Sequence, residues 1–285
     1  MLKLDGSGLT VSKGQCASCV VRRIGICHAY GAAEGLDLSR LEAAHLPIRV
    51  YEAGDIIFRQ GERSDHIFNV ISGWVNLHQE MADGRRQISQ FLFSGAVFGL
   101  KPKGVSFPYG ATAITTARIC AIPIGRVDDL RHHSPAFNEH YIWMLERENH
   151  LAIEALTITG QGDSLERVAR ILWGLASKLS NSAAVPAGAT LKVPLTQRLI
   201  ADATGLSAVH VNRVIRRLRE QHVVDFHDGV MVVEDPGRLA ALSTIYSESA
   251  ALWDDGTTVV TPQLPQSSHS LARPPSRTGV GSNSK

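Results

Sequence analysis

Four cysteines are the residues whose types and spacing point most directly to chemistry. Cys16, Cys19 and Cys27 fall within twelve residues, and Cys120 lies far along the chain. Thiolates bind zinc and iron–sulfur clusters. In a chain without a recognisable secretory signal, clustered cysteines are more often metal ligands or redox groups than structural disulfides. The spacing therefore predicts a metal or redox centre near the N-terminus.

The residue types alone leave the identity of this centre open. A zinc site formed by Cys16, Cys19, Cys27 and His28 has acceptable ligand chemistry. The adjacency of Cys27 and His28 is nevertheless awkward for one tetrahedron. Haem ligation and inert thiols are two further interpretations, although no His or Cys stands out as an axial ligand.

Residues 195–219 predict a second functional element, which binds DNA. Thr196 can cap a first helix, Gly205 can supply the left-handed turn that ends it, and Ser207 can cap a second helix. Two helices joined by a short glycine turn form a helix-turn-helix, whose second helix enters the major groove. Four residues share the inward face of that helix: Val211, Val214, Ile215 and Leu218. The candidate DNA contacts lie on or near the other side: Ser207, Val209, His210, Asn212, Arg213, Arg216 and Arg217.

The positive charge of the chain is concentrated around this element. Residues 192–219 carry six Lys or Arg against one acid, Asp202, which makes +5 in a chain whose formal net charge is +2. Attraction to phosphates requires such a local concentration. Residues 223–226 and 230–233 predict two strands of a wing behind the helices. A solvated basic helix is the plain alternative, and the two caps and the turn glycine favour DNA binding.

A long helix is predicted between these two elements. Ser134 can serve as its N-cap and Pro135 fits its first turn, while the Gly-Gln-Gly of residues 160–162 ends it. Six positions alternate spacings of three and four residues: Ile142, Leu145, Asn149, Ala152, Leu156 and Thr159. This spacing is typical of a coiled-coil seam and predicts a homodimer. Because Asn149 and Thr159 are polar, one face of a core helix remains the alternative.

Residues 48–123 predict a β-rich domain. Short runs of Val, Ile and Phe are separated by turn residues at intervals of about 8–12 residues, as in a sandwich or roll. Asp83-Gly84 lies between two such runs and is a strong hairpin signal. A short helix over residues 37–45 is predicted to precede this domain.

Composition places the chain among globular proteins of about two domains. Of its 285 residues, 20% are charged and 44% hydrophobic, and no run approaches the ~20 apolar residues of a membrane span. We therefore expect a cytoplasmic protein with no membrane partner. A Gly-rich phosphate loop, a nucleophile elbow and a paired-carboxylate motif are all missing from the sequence, so we do not expect an enzyme.

The expected fold class is α+β, with a cyclic-nucleotide-binding-like β-roll, a long dimerisation helix and a winged helix-turn-helix. The tail is rich in Ser, Pro, Gly and Thr, and we expect it to be disordered. The expected segments are a cysteine-bearing arm (1–30), the sensory β-roll (31–126), the dimerisation helix (127–160), the winged helix-turn-helix (161–245) and the tail (246–285).

A family resemblance agrees with this organisation. Residues 54–73, Gly-Asp-Ile-Ile-Phe-Arg-Gln-Gly-Glu-Arg-Ser-Asp-His-Ile-Phe-Asn-Val-Ile-Ser-Gly, look like the opening of the cyclic-nucleotide-binding β-roll. With a long helix and a winged helix-turn-helix behind them, residues 15–240 resemble the CRP/FNR family of bacterial transcription regulators. The resemblance implies a homodimer that binds a pseudo-palindromic site on double-stranded DNA.

Within that family, the cysteines resemble those of the oxygen-sensing FNR branch. The resemblance implies that Cys16, Cys19, Cys27 and Cys120 hold one 4Fe-4S cluster per subunit. The gap between Cys19 and Cys27 is longer than in the best-known members. The resemblance further implies that the cluster is intact at low oxygen, orders the arm and supports the DNA-binding dimer. It also implies that oxygen degrades the cluster, loosens the dimer helix and releases the DNA. The alternative is a related regulator gated by a small ligand, zinc or thiol redox chemistry.

The resemblance also shows where this chain departs from relatives. Members that bind cyclic AMP hold its phosphate with a Gly-Glu and an Arg-Ser pair. Here Phe-Gly-Leu-Lys at residues 98–101 and Tyr-Gly-Ala-Thr at residues 109–112 contain neither. An anion would have no fixed cationic partner there, so we do not expect cyclic AMP to bind.

The recognition helix departs from the FNR pattern as well. FNR-like members read their half-site with a Glu and a Ser-Arg pair. Val209 and Asn212 stand at the Glu and Ser positions, whereas Arg213 matches the Arg and could bond a guanine edge. The half-site therefore need not be the usual one. The exposed hairpin over residues 83–86 is a candidate contact for RNA polymerase, and a plain solvated turn is the alternative.

Overall fold

The structure, a computed structural model, describes residues 19, 21, 26–27, 46–180 and 184–243. Cys16, His28, the helix expected at residues 37–45 and the tail expected from residue 246 lie outside the described residues. In the described segments, no helix has both the length and the apolar character needed to cross a membrane.

The N-terminal domain is a roll of two four-stranded antiparallel sheets. The strand orders are β1-β8-β3-β6 and β2-β7-β4-β5. The strands are β1 (Arg49–Tyr51), β2 (Ile56–Phe58), β3 (His66–Ser72), β4 (Val75–Glu80), β5 (Arg86–Leu92), β6 (Val97–Phe98), β7 (Gly110–Ala113) and β8 (Ala117–Pro123). The predicted hairpin at Asp83-Gly84 is confirmed, because the Met81 amide donates to the Arg85 carbonyl (2.8 Å) and Gly84 takes a φ of +83°.

Strand β3 separates two apolar environments. Phe68 and Val70 belong to the core between the sheets. Ile67 and Ile71, which point the other way because side chains alternate along a strand, belong to two clusters that include residues of the N-terminal arm. The outer face of this sheet is therefore buried as well.

Two helices follow the roll. They are α1 (Ile124–His133) and α2 (Pro135–Gln161). Ser134 caps α2 as predicted, because its hydroxyl accepts from the Phe137 amide (3.2 Å). The predicted end of the helix is also confirmed, with Gly162 as C-cap. Proline in the first turn costs no hydrogen bond there, since that N–H would have no helical partner.

The C-terminal domain comprises α3 (Ser164–Leu179), β9 (Ala189–Lys192), α4 (Gln197–Thr204), α5 (Ala208–Glu220), β10 (Val224–His227), β11 (Val230–Val233) and α6 (Pro236–Ser243). The predicted two-stranded wing is present as β10 and β11. Strand β9 was not predicted from the sequence; it pairs with β11 from Ala189↔Val233 to Lys192↔Val230. Its residues alternate between half-buried and exposed and show little apolar patterning, so the strand depends on its tertiary partner.

The two domains contact each other through β5 of the roll and α4 of the C-terminal domain. The Arg86 guanidinium donates to Asp202 Oδ2 through Nη2 (2.6 Å) and Nε (3.0 Å). The side-chain amide of Gln87 donates through Nε2 to the Ala203 carbonyl (2.9 Å). Ile88 and Phe91 enter the apolar cluster of the C-terminal domain. This corrects the expected exposed hairpin over residues 83–86: Arg86 is half-buried at the domain contact, and only the turn before it is exposed.

The Arg86–Asp202 pair should stabilise this contact measurably. We expect a double-mutant cycle of Arg86→Ala and Asp202→Ala, followed by urea unfolding, to give a coupling of about 1 kcal/mol, because both side chains are largely shielded and the contact has two hydrogen bonds. The control is the Asp83–Arg85 pair on the turn, which is exposed and should show no measurable coupling. Equal couplings in the two cycles would contradict a special role for the domain contact.

Candidate functional site

Helices α4 and α5 form the predicted helix-turn-helix. Thr196 Oγ1 accepts from the Leu199 amide (3.3 Å), and Ser207 Oγ accepts from the His210 amide (3.2 Å). Gly205 ends α4 in the left-handed region with a φ of +70°. A side chain with a Cβ would strain this turn. The two caps and the turn predicted from sequence are all confirmed.

Helix α5 presents a polar, basic face to solvent. The four residues predicted to face inward, Val211, Val214, Ile215 and Leu218, are buried. The seven candidate DNA contacts are all exposed: Ser207, Val209, His210, Asn212, Arg213, Arg216 and Arg217. Val209 is 64% exposed at the start of the helix, where an apolar side chain can meet a thymine methyl group.

Ion pairs divide the arginines of α5 into two groups. Arg216 pairs with Glu220 on the same helix (3.5 Å), and Arg219 pairs with Asp225 of the wing. In the part of the chain that the structure describes, no ion-pair partner is recorded for Arg213 or Arg217. These two cations are therefore the ones best placed to bind a base edge or a phosphate.

The single acid of the basic segment does not weaken this face. Asp202 lies on α4, and its carboxylate is neutralised by Arg86 of the roll. The positive potential of α5 is thus less opposed than the sequence count implies, because the neutralising cation comes from the other domain.

Three of the four predicted cysteine ligands lie on or near the outer face of the sheet that contains β3. Cys120 on β8 pairs with Asn69 on β3. The Asn69 amide nitrogen donates to Cys120 Sγ (3.7 Å) and to Cys27 Sγ (4.0 Å). Cys19 packs against the apolar cluster that contains Cys120. The fourth predicted ligand, Cys16, lies outside the described residues.

Cys27 and Cys120 are both buried, whereas Cys19 is partly exposed. Among the described residues, no three His, Cys, Asp or Glu side chains form a group that could hold a metal ion. Cys16 and His28, which the cluster and zinc interpretations respectively need, are not among these residues.

The cysteine region contacts the start of α2. Ile26 and Cys27 belong to one buried apolar cluster with Val127 of α1 and with Phe137 and Tyr141 of α2. Burial raises the pKa of the Tyr141 phenol, partly offset by Arg131, so this hydroxyl stays neutral. Cys27 is thus packed in the same cluster as the first turns of α2.

The interior of the roll is filled by aromatic rings. Phe58 stacks on Phe107 with ring centroids 3.8 Å apart, and Phe68 and Phe98 lie beside them. The Tyr109 hydroxyl accepts from the Gly99 amide (3.1 Å). This packing occupies the space between the sheets.

The roll contains a buried cation that was not predicted from the sequence. The Lys101 side chain is 3% exposed, and its Nζ lies 3.7 Å from Asp65 Oδ1 and 5.0 Å from the centroid of the Phe107 ring. A fixed cation is therefore present where the sequence predicted none. Its neighbour Asp65 carries the compensating negative charge. The hydrogen bond from the Gly104 amide lowers the pKa of the Asp65 carboxyl most, and the charge of Lys101 lowers it further.

Helix α2 has apolar residues on two faces. Phe137, Tyr141, Met144 and Ile158 are buried against the protein itself. Five of the six seam residues are exposed, and the sixth, Thr159, is half-buried; the five are Ile142, Leu145, Asn149, Ala152 and Leu156. Leu156 is 74% exposed and its neighbour Ile153 is 54% exposed. An exposed apolar stripe along a long helix is typical of a surface that another protein covers.

Comparisons with known proteins agree with both domains. Residues 48–134 match the family model of the cyclic nucleotide-binding domain, and residues 166–242 match that of the Crp-like helix-turn-helix domain. The chain is 30% identical over 226 residues to the transcriptional activatory protein AadR of Rhodopseudomonas palustris, covering 79% of this chain and 91% of AadR.

Two further similarities agree. The chain is 29% identical over 239 residues to the nitrogen fixation regulation protein FixK of Bradyrhizobium diazoefficiens, covering 80% of this chain and 93% of FixK. The solved structure of FixK2 from Bradyrhizobium japonicum superposes with a TM-score of 0.64 at 24% identity. It covers 70% of this chain and 98% of FixK2, and it supports the fold.

Arg213 and Arg217 should affect DNA binding differently. We expect Arg213→Ala to cost ~1–3 kcal/mol on the preferred site and to relax selection at one base pair, as loss of a base contact does. Arg217→Ala should weaken binding to specific and random duplexes alike and reduce the salt dependence. Binding is measured by fluorescence anisotropy on a duplex selected from a random library. Arg219→Ala, whose guanidinium is paired with Asp225, is the control. Equal losses of Arg213→Ala on specific and random DNA would reject its role as a base reader.

Proposed function

Because the chain belongs to the CRP/FNR family of transcription regulators, we propose that it controls transcription in response to oxygen through a 4Fe-4S cluster. Regulators of this family bind DNA, typically as dimers. The observation that carries the oxygen-sensing proposal is the meeting of Cys27, from the arm, and Cys120, from the roll, at one amide group.

The donor set suits an iron–sulfur cluster. Cys16, Cys19, Cys27 and Cys120 are four thiols, the ligand type and number that such a cluster takes. Cys27 and Cys120 are buried among apolar side chains, which limits the access of water. A bound 4Fe-4S cluster supplies a redox centre that oxygen can destroy.

The packing of this chain supplies a route from the cysteines to the dimer. Ile26 and Cys27 pack in one cluster with Phe137 and Tyr141 of α2, so ligation of Cys27 would fix this part of the arm against the helix. Helix α2 carries the exposed seam on another face, so a change in its packing or tilt changes the surface offered to a second subunit. In the proposed dimer, two copies of α5 would enter successive major grooves about 34 Å apart. Release of Cys27 would remove part of the support of α2.

The seam should be required for the dimer and dispensable for the folded monomer. We expect Leu156→Glu to convert anaerobic protein to monomers, because it places a charge on a surface that is apolar and exposed in one subunit. Thr157→Glu adds the same charge at the next, also exposed, position outside the predicted seam and is the control. Sedimentation measures mass, and circular dichroism checks the fold. A Leu156→Glu variant that remains dimeric would contradict the seam.

The cluster is tested on protein purified without oxygen. We expect about four iron and four sulfide per chain, brown colour, and loss of colour and dimer in air. Cys120→Ser should bind little iron and stay monomeric, because the hydroxyl replaces a thiolate ligand. Ile71→Val, which trims the apolar cluster around Cys120, should retain the iron and is the control.

Other outcomes would redirect the proposal. Stoichiometric zinc without colour would favour the zinc site, and a reversible disulfide in air would favour thiol redox control. Thermal stabilisation by cyclic AMP in iron-free protein would favour a nucleotide-gated regulator. Each result would overturn oxygen sensing through a cluster and would leave the DNA-binding role in place.

A further inference from the structure

Asn69 is a buried polar residue on an otherwise apolar sheet face. Its neighbours on that face of β3, Ile67 and Ile71, belong to the two outer apolar clusters. Asn69 lies between them and is 3% exposed. An apolar side chain would complete this face at no cost in polar burial, whereas a buried amide must find hydrogen-bond partners.

The partners that the structure records for the Asn69 amide nitrogen are sulfur atoms. Nδ2 lies 3.7 Å from Cys120 Sγ and 4.0 Å from Cys27 Sγ. A side-chain amide nitrogen carries two hydrogens, so one amide can donate to both sulfurs. A neutral thiol is a weak acceptor, whereas a thiolate is a stronger one because it is charged. The position of Asn69 therefore suits two cysteines held as thiolates.

The other buried asparagine in the described residues has a different environment. Asn76 on β4 is 2% exposed, and its Oδ1 lies 2.8 Å from His78 Nδ1. Its strand belongs to the opposite sheet. Asn76 is therefore comparable in residue type and burial and lies away from the cysteines.

We propose that Asn69 is a positioning residue for the cysteine site: its amide donates one N–H to Cys27 Sγ and one to Cys120 Sγ, and so stabilises the cluster. This inference rests on the proposed function. Hydrogen bonds to the sulfurs favour the more negative, reduced form of an iron–sulfur cluster and so raise its reduction potential. They also hold the arm cysteine and the roll cysteine at a common point.

The test uses the full chain, purified and handled without oxygen, in five forms. Asn69→Leu and Asn69→Ala both remove the hydrogen-bond donor. They change the packing in opposite senses, because leucine is larger than asparagine and alanine is smaller. Asn76→Leu is the matched control for loss of a buried amide, and Ile71→Val is the control for a packing change beside Cys120. Circular dichroism checks the fold, and iron and sulfide are measured before each experiment.

The first measurement is the midpoint potential of the one-electron reduction of the cluster by dithionite with dye mediators. We expect both Asn69 variants to have a lower midpoint than wild type, and both controls to match wild type. The second is the decay of visible absorbance after air is admitted. We expect decay about tenfold faster in both Asn69 variants, a size typical for loss of an outer-shell partner.

The two proposals fail in different ways. Wild-type protein without iron and sulfide would overturn the proposed function itself. Wild-type protein with a full cluster, together with Asn69 variants whose potential and decay equal those of the wild type, would overturn only the role of Asn69. A change in the midpoint potential or the decay that appears in Asn69→Ala alone, or that Ile71→Val also shows, would mean that packing causes the effect. That result would likewise overturn the role of Asn69.

Discussion

The antiparallel pairing of β3 with β8 is the constraint on which the cysteine site depends. It places Asn69 opposite Cys120 and Ile67 opposite Ile122 on the outer face of the sheet. Side chains alternate along a strand, so a slip of one residue would exchange the two faces. Phe68, locked in the aromatic interior, therefore also fixes the outward direction of its neighbour Asn69. One register therefore sets both the core of the roll and the residues that meet on the outer, buried face of this sheet.

Helix α2 connects this site with the rest of the molecule because it is packed on several sides at once. The Gln90 amide of β5 donates to Glu148 (2.7 Å), and Arg170 of α3 donates to the Leu151 carbonyl (3.1 Å). Burial lowers the pKa of Arg170, and the Glu154 carboxylate of α2, which lies 3.6 Å from its Nη2, opposes this shift. Helix α2 therefore contacts the N-terminal arm, the roll and the C-terminal domain.

The DNA-binding face depends on the contact between domains as much as on its own sequence. Asp202 and Ala203 of α4 are held by Arg86 and Gln87 of the roll, while α5 packs behind α4. The orientation of the recognition helix relative to the roll therefore rests on β5. The same contact removes the negative charge of Asp202 from the basic surface. The same scaffold leaves the Arg213 side chain exposed on α5.

Much of this organisation follows from the sequence, because it is encoded locally. Ser134, Thr196, Gly205 and Ser207 form caps and a turn whose partners lie within a few residues, so sequence analysis predicts them correctly. Apolar periodicity likewise predicts the buried face of α5. The cysteines could be identified by type and spacing.

Only the tertiary structure decided which residues meet across the chain. Asn69 has no sequence signal, since it is 42 residues from Cys27 and 51 from Cys120. The sequence predicts that Arg86 belongs to an exposed turn, whereas in the structure it pairs with Asp202, 116 residues away. Strand β9 depends on its antiparallel pairing with β11. Lys101 is buried next to Asp65 and the ring of Phe107. Long-range hydrogen bonds and ion pairs depend on the packing of distant segments, which local propensity and periodicity do not encode.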